Sequence, residues 1–222
     1  MNPLISSLLK SDLFWQIPSF FSGIAFLVAA YIYFPKPKED TTKKFKFFAW
    51  CLIGARIFYS AFLTFFQYYV WGNNTFTNFF LNQSANPASY PKLGILTAPF
   101  EGRLGYFVLY VFERFWLETL ITILVACLFY VFLKTLKKHN GRFFEEGEPE
   151  LGFSMALLVG WPGFVLFVLF IFIFIIATSI FRMVVLKQHL TTFGLPFLLS
   201  VFAVLIWGGA LLQFFKLGVL SI

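Results

Sequence analysis

Residues 45–71 read FKFFAWCLIGARIFYSAFLTFFQYYVW, an almost unbroken apolar stretch with the charged residue Arg56 near its middle. A guanidinium at this depth in a membrane costs about 2.5–3.5 kcal/mol on insertion scales, and arginine does not lose its proton in proteins. Its side chain must therefore find an anion, a carbonyl group or water inside a helix bundle. Two interpretations stay open. Arg56 pairs with an acidic residue on another helix and orients the bundle, or it holds an anionic substrate such as a lipid phosphate through two hydrogen bonds.

The composition indicates a membrane protein. Of the 222 residues 59% are hydrophobic and only 12% are charged, whereas soluble domains are about 25% charged. A soluble core of this size could not cover so much apolar surface, so we expect an all-α, polytopic membrane helix bundle that forms a single integral membrane domain over residues 1–222. The net charge of +7 comes largely from basic loops, as the positive-inside rule arranges them, and no nucleic-acid partner is predicted.

Apolar stretches of about 20 residues are long enough to cross a membrane as helices, and five spans are predicted. They cover approximately residues 14–34, 45–71, 116–133, 151–181 and 193–215. The fourth contains the motif GWPG at 160–163, where proline removes a helix hydrogen bond and kinks or breaks the helix. The Asn-, Ser- and Pro-rich region 72–97 is expected to be an outer loop, and residues 104–115 are expected to be an interfacial segment.

The basic residues determine the expected orientation in the membrane. The loop after the first span contains lysines between residues 36 and 46, and the loop after the third contains basic residues between 134 and 142. Because cytoplasmic loops are rich in Lys and Arg, the N-terminus is predicted outside and the C-terminus, with Lys216, in the cytoplasm. Arg182 and Lys187 then fall on the outside.

A second charged region precedes the third span. If residues 103–118 form one α-helix, the side chains of Arg103, Phe107, Tyr110, Arg114 and Glu118 share a narrow face. Two interpretations of this stripe stay open. Arg114 and Glu118 form an i, i+4 pair at the interface, or the two arginines bind the phosphate of a lipid headgroup while Glu118 fixes them.

The other titratable groups point to no catalytic or metal site. The glutamates of 145–150 lie beside lysines in a loop and are expected to form a solvated charge run. The histidines, His139 and His189, are expected outside membrane depth, so a catalytic histidine is not evident. The cysteines, Cys51 and Cys127, lack a CxxC or histidine neighbour. No metal and no cofactor are predicted.

Three motifs resemble the prolipoprotein diacylglyceryl transferases of bacterial membranes. The first is IGARIFY at 53–59, which is similar to the G-x-R-x-x-Y pattern of the family's second helix. The second is WLE at 116–118, followed by an apolar helix and a basic loop. The third is GLPFLLS at 194–200, which resembles the family's last helix, although Phe197 stands where that pattern usually has glutamine. These enzymes move a diacylglyceryl group from phosphatidylglycerol to the thiol of a lipoprotein cysteine.

The resemblance implies a function and a set of site residues. It implies binding of a phosphatidylglycerol-like phospholipid and of a lipoprotein precursor in the bacterial cytoplasmic membrane. The family has seven spans where five are predicted here. Residues 101–107 match two motifs of the family: against one, its functional histidine falls on Phe107, and against the other, Arg103 is kept and an asparagine falls on Tyr106. A non-catalytic lipid-binding or structural subunit of a membrane complex is the alternative. The expected catalytic residues are Arg103 and Glu118, and the expected substrate-binding residues are Arg56, Tyr59, Tyr110, Arg114 and Arg182.

A weaker likeness is to the prepilin peptidases. The motif GWPG at 160–163, followed by LPF at 195–197, is similar to the end of that fold. The membrane aspartates of the family are absent, and Gly147-Glu148 is the nearest equivalent. An aspartyl mechanism needs two carboxylates that share a proton, so this likeness ranks below the first.

Overall fold

The computed structural model describes residues 12–34, 40–84, 102–139, 144–185, 187 and 192–216. All regular structure within these ranges is helical. The helices are α1 (Asp12–Tyr33), α2 (Thr41–Gly72), α3 (Thr75–Leu81), α4 (Gly105–Val111), a π-helical turn (Phe112–Trp116), α5 (Leu117–His139), α6 (Glu148–Val159), α7 (Gly163–Val185) and α8 (Gly194–Phe214).

The prediction of an all-helical fold is confirmed, and the lengths and composition of the helices are compatible with a multi-pass membrane protein. Four described helices are long and apolar enough to cross a membrane: Thr41–Gly72, Gly105–His139, Gly163–Val185 and Gly194–Phe214. Pro18–Tyr33 is a shorter apolar helix. The expected interfacial segment 104–115 is mostly helical and continues through the π-helical turn into α5. The expected outer loop contains the short helix α3, while its part from 85 to 97 lies outside the described residues.

The described residues fall into two compact units. The first unit contains residues 12–14, 56–84 and 102–120. The second unit contains residues 15–34, 40–55, 121–139, 144–185, 187 and 192–216. Both α2 and the helical segment that begins at Gly105 contribute residues to each unit.

In the first unit, the second half of α2 packs antiparallel against α4 and the π-helical turn. The Trp71 ring centroid lies 5.4 Å from that of Phe107 near one end of this pairing. Further along, Trp116 Nε1 donates to Thr64 Oγ1 at 3.1 Å. Residue numbers therefore fall along α2 as they rise along its partner, which defines an antiparallel pair.

The second unit is built around buried aromatic and aliphatic side chains of α5, α6, α7 and α8. The Phe129 ring contacts the rings of Phe167 and Phe197 at centroid distances of 6.0 and 6.2 Å. Leu151 and Met155 of α6 are completely buried in the same core. Deep burial of α6 explains its lack of a polar face, since every side of it meets protein.

The chain reverses direction between α6 and α7. Glu150 accepts a hydrogen bond from Tyr130, whereas Trp161, after the end of α6, donates its backbone N–H to Thr122. Thus α6 runs antiparallel to α5. The following helix turns back, because Phe164 and Phe167 both contact Phe129. The predicted break at 160–163 is confirmed, since α6 ends at Val159 and α7 begins at Gly163, but the chain turns back there where a single crossing at 151–181 was predicted. Gly160 has a φ of 70°, which glycine tolerates and which ends α6.

This reversal also changes the expected orientation. The Phe26 ring of α1 lies 5.9 Å from the Phe202 ring of α8, and Tyr33, the last residue of α1, contacts Gly194, the first residue of α8. Since α1 and α8 are antiparallel, the start of α1 and the end of α8 lie at the same end of the second unit. The prediction that the first span starts and the last span ends on opposite sides of the membrane does not fit this packing.

Arg182 lies at the other end of the second unit. The charge of Arg182 on α7 acts on the side chain of Tyr33, which lies just before the lysine-rich loop. The predicted separation of Arg182 from these lysines is therefore wrong. Because the chain turns back at 160–162, the end of α7 returns to the side from which α6 started.

Candidate functional site

The Arg56 side chain lies at mid-depth in a long helix. Helix α2 has 32 residues, so Arg56 is roughly 23 Å from either end at a rise of about 1.5 Å per residue. Its side chain is half-buried, and the adjacent Ile57 and Phe58 are exposed. Exposed apolar residues on a long membrane helix are expected to face lipid.

Arg56 has an acidic partner in the first unit. The charge of Glu118, on α5, acts on the Arg56 guanidinium and on the side chain of Tyr59. Glu118 itself is exposed and Tyr59 is half-buried. The structure therefore gathers three of the expected site residues, and it supports the interpretation in which Arg56 is paired with an acidic side chain of another helix.

The expected stripe from Arg103 to Glu118 is not a single face. Phe107 and Thr119 are buried, whereas Arg114 and Glu118 are exposed. The reason is the π-helical turn Phe112–Trp116, in which the i→i+5 hydrogen bond takes an extra residue into the turn. Side chains after the turn are consequently rotated by about 100° from the positions that continuous α-helical spacing predicts.

Hydroxyl groups fasten this turn to α2. Ser60 Oγ lies 2.8 Å from Thr119 Oγ1, and each hydroxyl oxygen lies 3.2 Å from the carbonyl oxygen of Phe115. Because each hydroxyl has one proton, one hydroxyl donates to the other and the second donates to the carbonyl. The Trp116 indole adds its hydrogen bond to Thr64. These contacts fix the rotation of α5 beside Arg56.

The other expected site residues lie elsewhere. Arg103 is exposed just before α4, and Tyr110 packs on Trp71 with ring centroids 4.9 Å apart. Trp71 is near the end of α2, about 22 Å along the helix from Arg56. Arg103 is therefore not brought to Arg56 and Glu118. Arg114 is exposed within the π-helical turn, and Arg182 belongs to the second unit.

Sequence reasoning missed a buried carboxylate in the second unit. Glu148 is only 1% exposed, so the expected solvated charge run is wrong at this position. Its carboxylate accepts hydrogen bonds from the backbone N–H groups of Gly194 at 2.7 Å, Phe193 at 3.3 Å and Glu145 at 2.9 Å. The first N–H groups of a helix lack partners within the helix, so Glu148 caps the N-terminus of α8.

Glu150 is the second buried acid of this region. It accepts a hydrogen bond from Tyr130 at 3.1 Å, and the Lys134 amine lies 4.7 Å from the centre of the Tyr130 ring. Glu148 thus binds backbone N–H groups at the start of α8, whereas Glu150 binds the Tyr130 hydroxyl. One sequence signal indicated that these glutamates begin a helix. Glu148 is followed by Pro149, and acidic residues and proline favour the first turn of a helix rather than a loop.

No group of three or more His, Cys, Asp or Glu side chains that could hold a metal ion occurs among the described residues. His139 is exposed at the end of α5, and His189 lies outside the described residues. The chain matches no known protein family, no curated protein and no solved structure. The likenesses drawn from its motifs remain predictions.

Proposed function

We propose that this protein is a non-catalytic membrane subunit that binds a phosphatidylglycerol-type phospholipid at the Arg56–Glu118 pair. The observation that carries the proposal is the exposure of Glu118, whose charge acts on Arg56 at mid-depth in the helices. Charged groups within membrane segments are costly unless polar groups cover them. A charged pair with one exposed member, Glu118, is therefore expected to attract a polar group from the bilayer.

The headgroup chemistry complements this pair. A phosphate accepts two parallel hydrogen bonds from a guanidinium, and a carboxylate accepts a hydrogen bond from a hydroxyl. Phosphatidylglycerol has a phosphate next to a glycerol with free hydroxyls. Its phosphate suits Arg56 and its hydroxyls suit Glu118, while Tyr59, on which the charge of Glu118 also acts, offers a phenol.

Diacylglyceryl transfer to a lipoprotein cysteine is the second candidate function. The motif around Arg56 and Tyr59 favours it through the resemblance to the transferases. The reaction needs a base for the thiol, and Glu118 is the only expected site residue near Arg56 that could accept a proton. Because the charge of Glu118 acts on Arg56, and because Arg103 lies before α4, which packs against the Trp71 end of α2, binding without transfer is favoured.

The same proposal includes the membrane and the orientation. We assign the protein to the bacterial cytoplasmic membrane, with the basic end of the second unit in the cytoplasm. Lys43, Lys138 and Arg182 all belong to that end, and positively charged ends face the cytoplasm. The start of α1 and the end of α8 are then outside.

Retention of phospholipids during native mass spectrometry tests lipid binding. The protein is released from nanodiscs that contain equal amounts of phosphatidylglycerol and phosphatidylcholine. Arg56→Gln is expected to lower phosphatidylglycerol retention at least tenfold, since a hydrogen bond to a charged group contributes roughly 1.5–3 kcal/mol. Arg103→Gln, which also removes one guanidinium, is the matched control and is expected to change retention little. Equal retention by both variants would contradict the proposal.

Complementation separates the two candidate functions. A bacterial strain depleted of its own diacylglyceryl transferase is supplied with this protein, and membrane insertion of the protein is verified. We expect no growth. Growth that is lost on Glu118→Gln would favour the transferase and would reject the non-catalytic assignment.

A further inference from the structure

The buried face of the segment 105–139 identifies a role for the π-helical turn. Phe107 and Val111 are buried before the turn, and Thr119 and Ala126 are buried after it. In a continuous α-helix, the side chain that follows Val111 on this face is Glu118, only about 20° away. The extra residue in the turn puts Thr119 at that position instead.

The turn thus decides which side chain is covered by α2. Thr119 contacts Ser60 in the buried contact between the helices, whereas Glu118 lies on the flank and is exposed. A carboxylate at the Thr119 position would be enclosed by protein and would be out of reach of the bilayer. The π-helical turn rotates the residues that follow it, and this rotation leaves Glu118 exposed while its charge still acts on Arg56.

We infer that the π-helical turn, fastened by Ser60, positions Glu118 to recognise the hydroxyl groups of the lipid headgroup. This inference rests on the proposed function and adds a division of roles to it. Arg56 supplies affinity for the phosphate, which is common to all anionic phospholipids. Glu118 supplies specificity for headgroups that also donate hydroxyl hydrogen bonds, and Ser60 is a positioning residue that acts through Glu118.

Two lipids distinguish these roles. Phosphatidylglycerol offers a phosphate and hydroxyl donors, whereas phosphatidic acid offers the phosphate without the glycerol hydroxyls. Competition between the two in nanodiscs, followed by native mass spectrometry, measures the preference as a ratio of retained lipids. The wild-type protein is expected to prefer phosphatidylglycerol over phosphatidic acid.

Variants of Ser60 test the positioning role. Ser60→Ala removes the hydroxyl that holds the turn, and it is expected to reduce the preference for phosphatidylglycerol roughly fivefold while phosphatidic acid is still retained. Ser60→Thr restores a hydroxyl at the same place and is expected to restore the preference. If Ser60 only stabilised the fold, Ser60→Ala would lower the retention of both lipids together. The ratio of retained phosphatidylglycerol to phosphatidic acid would then not change, and Ser60→Thr would have no preference to restore.

A position exchange gives a second, independent test. The double variant Glu118→Thr/Thr119→Glu keeps the composition and net charge but moves the carboxylate to the buried side. It is expected to lose the preference, as is Glu118→Ala. If the ratio is unchanged in Ser60→Ala and in Glu118→Ala while Arg56→Gln loses binding, this inference is rejected and the proposed function stands. If Arg56→Gln retains phosphatidylglycerol fully, the proposed function itself fails.

Discussion

The sequence shows that Arg56 needs a polar partner, but it does not show which residue that partner is. A permanent charge in the middle of a long membrane helix requires a polar partner. That requirement follows from the sequence alone. The identity of the partner does not, because Glu113, Glu118 and the acids of 145–150 are all candidates until the helices are paired. The structure selects Glu118 by the antiparallel packing of α2 with the segment that begins at Gly105.

Breaking this pair on one side is expected to destabilise the protein. Glu118→Ala leaves the Arg56 guanidinium without the carboxylate, at a cost of about 2.5–3.5 kcal/mol, the insertion cost of a charge at mid-helix. The double variant Arg56→Met/Glu118→Ala removes both charges and is expected to recover most of the loss. Thermal unfolding in lipid nanodiscs measures both effects. Glu146→Ala, in an exposed turn, serves as the control, and a double variant no more stable than Glu118→Ala would refute the pairing.

At the scale of single elements, the sequence predicted where helices lie better than how they are rotated or directed. The apolar stretch 45–71 corresponds closely to α2, and 193–215 to α8. The π-helical turn was missed because its residues have no distinctive composition, so regular α-helical spacing was assumed. The motif GWPG predicted a break, but the direction of the chain after a break depends on tertiary packing, here on contacts with Phe129.

The start of α8 depends on a close contact that only glycine permits. A Cβ atom at Gly194 would collide with the ring of Tyr33, whereas a Cβ at Gly209, in the same helix, would meet nothing within 4 Å. We expect Gly194→Ala to separate α8 from α1 and to destabilise the protein by about 1–3 kcal/mol. Gly209→Ala is expected to be neutral or slightly stabilising, since alanine favours helices over glycine. Equal melting temperatures for the two variants would contradict this packing.

At the scale of the whole molecule, one local reversal changes the placement of the basic residues. The sequence interpretation treated 151–181 as a single crossing, and Arg182 and Lys187 then lay on the side opposite the lysine-rich loops. In the structure the chain turns back at 160–162, so the end of α7 joins the ends of α1 and α5. In the proposed orientation, Arg182 and Lys187 fall on the cytoplasmic side, as the positive-inside rule favours, and Lys216 falls outside. A hydropathy pattern cannot reveal this, because a helix that turns back is as apolar as one that crosses.

Labelling of single cysteines from the two sides of the membrane distinguishes these topologies. Cys51 and Cys127 are first replaced by serine, and single cysteines then replace Lys43, Lys187 or Lys216, all exposed. Because α7 returns to the basic end and α8 leaves it, we expect Lys187→Cys to react from the same side as Lys43→Cys, and Lys216→Cys from the other. A single crossing at 151–181 requires the reverse, with Lys216→Cys on the side of Lys43→Cys and Lys187→Cys opposite. A membrane-impermeant maleimide applied before and after permeabilisation decides between them, and full labelling after permeabilisation is the control for accessibility.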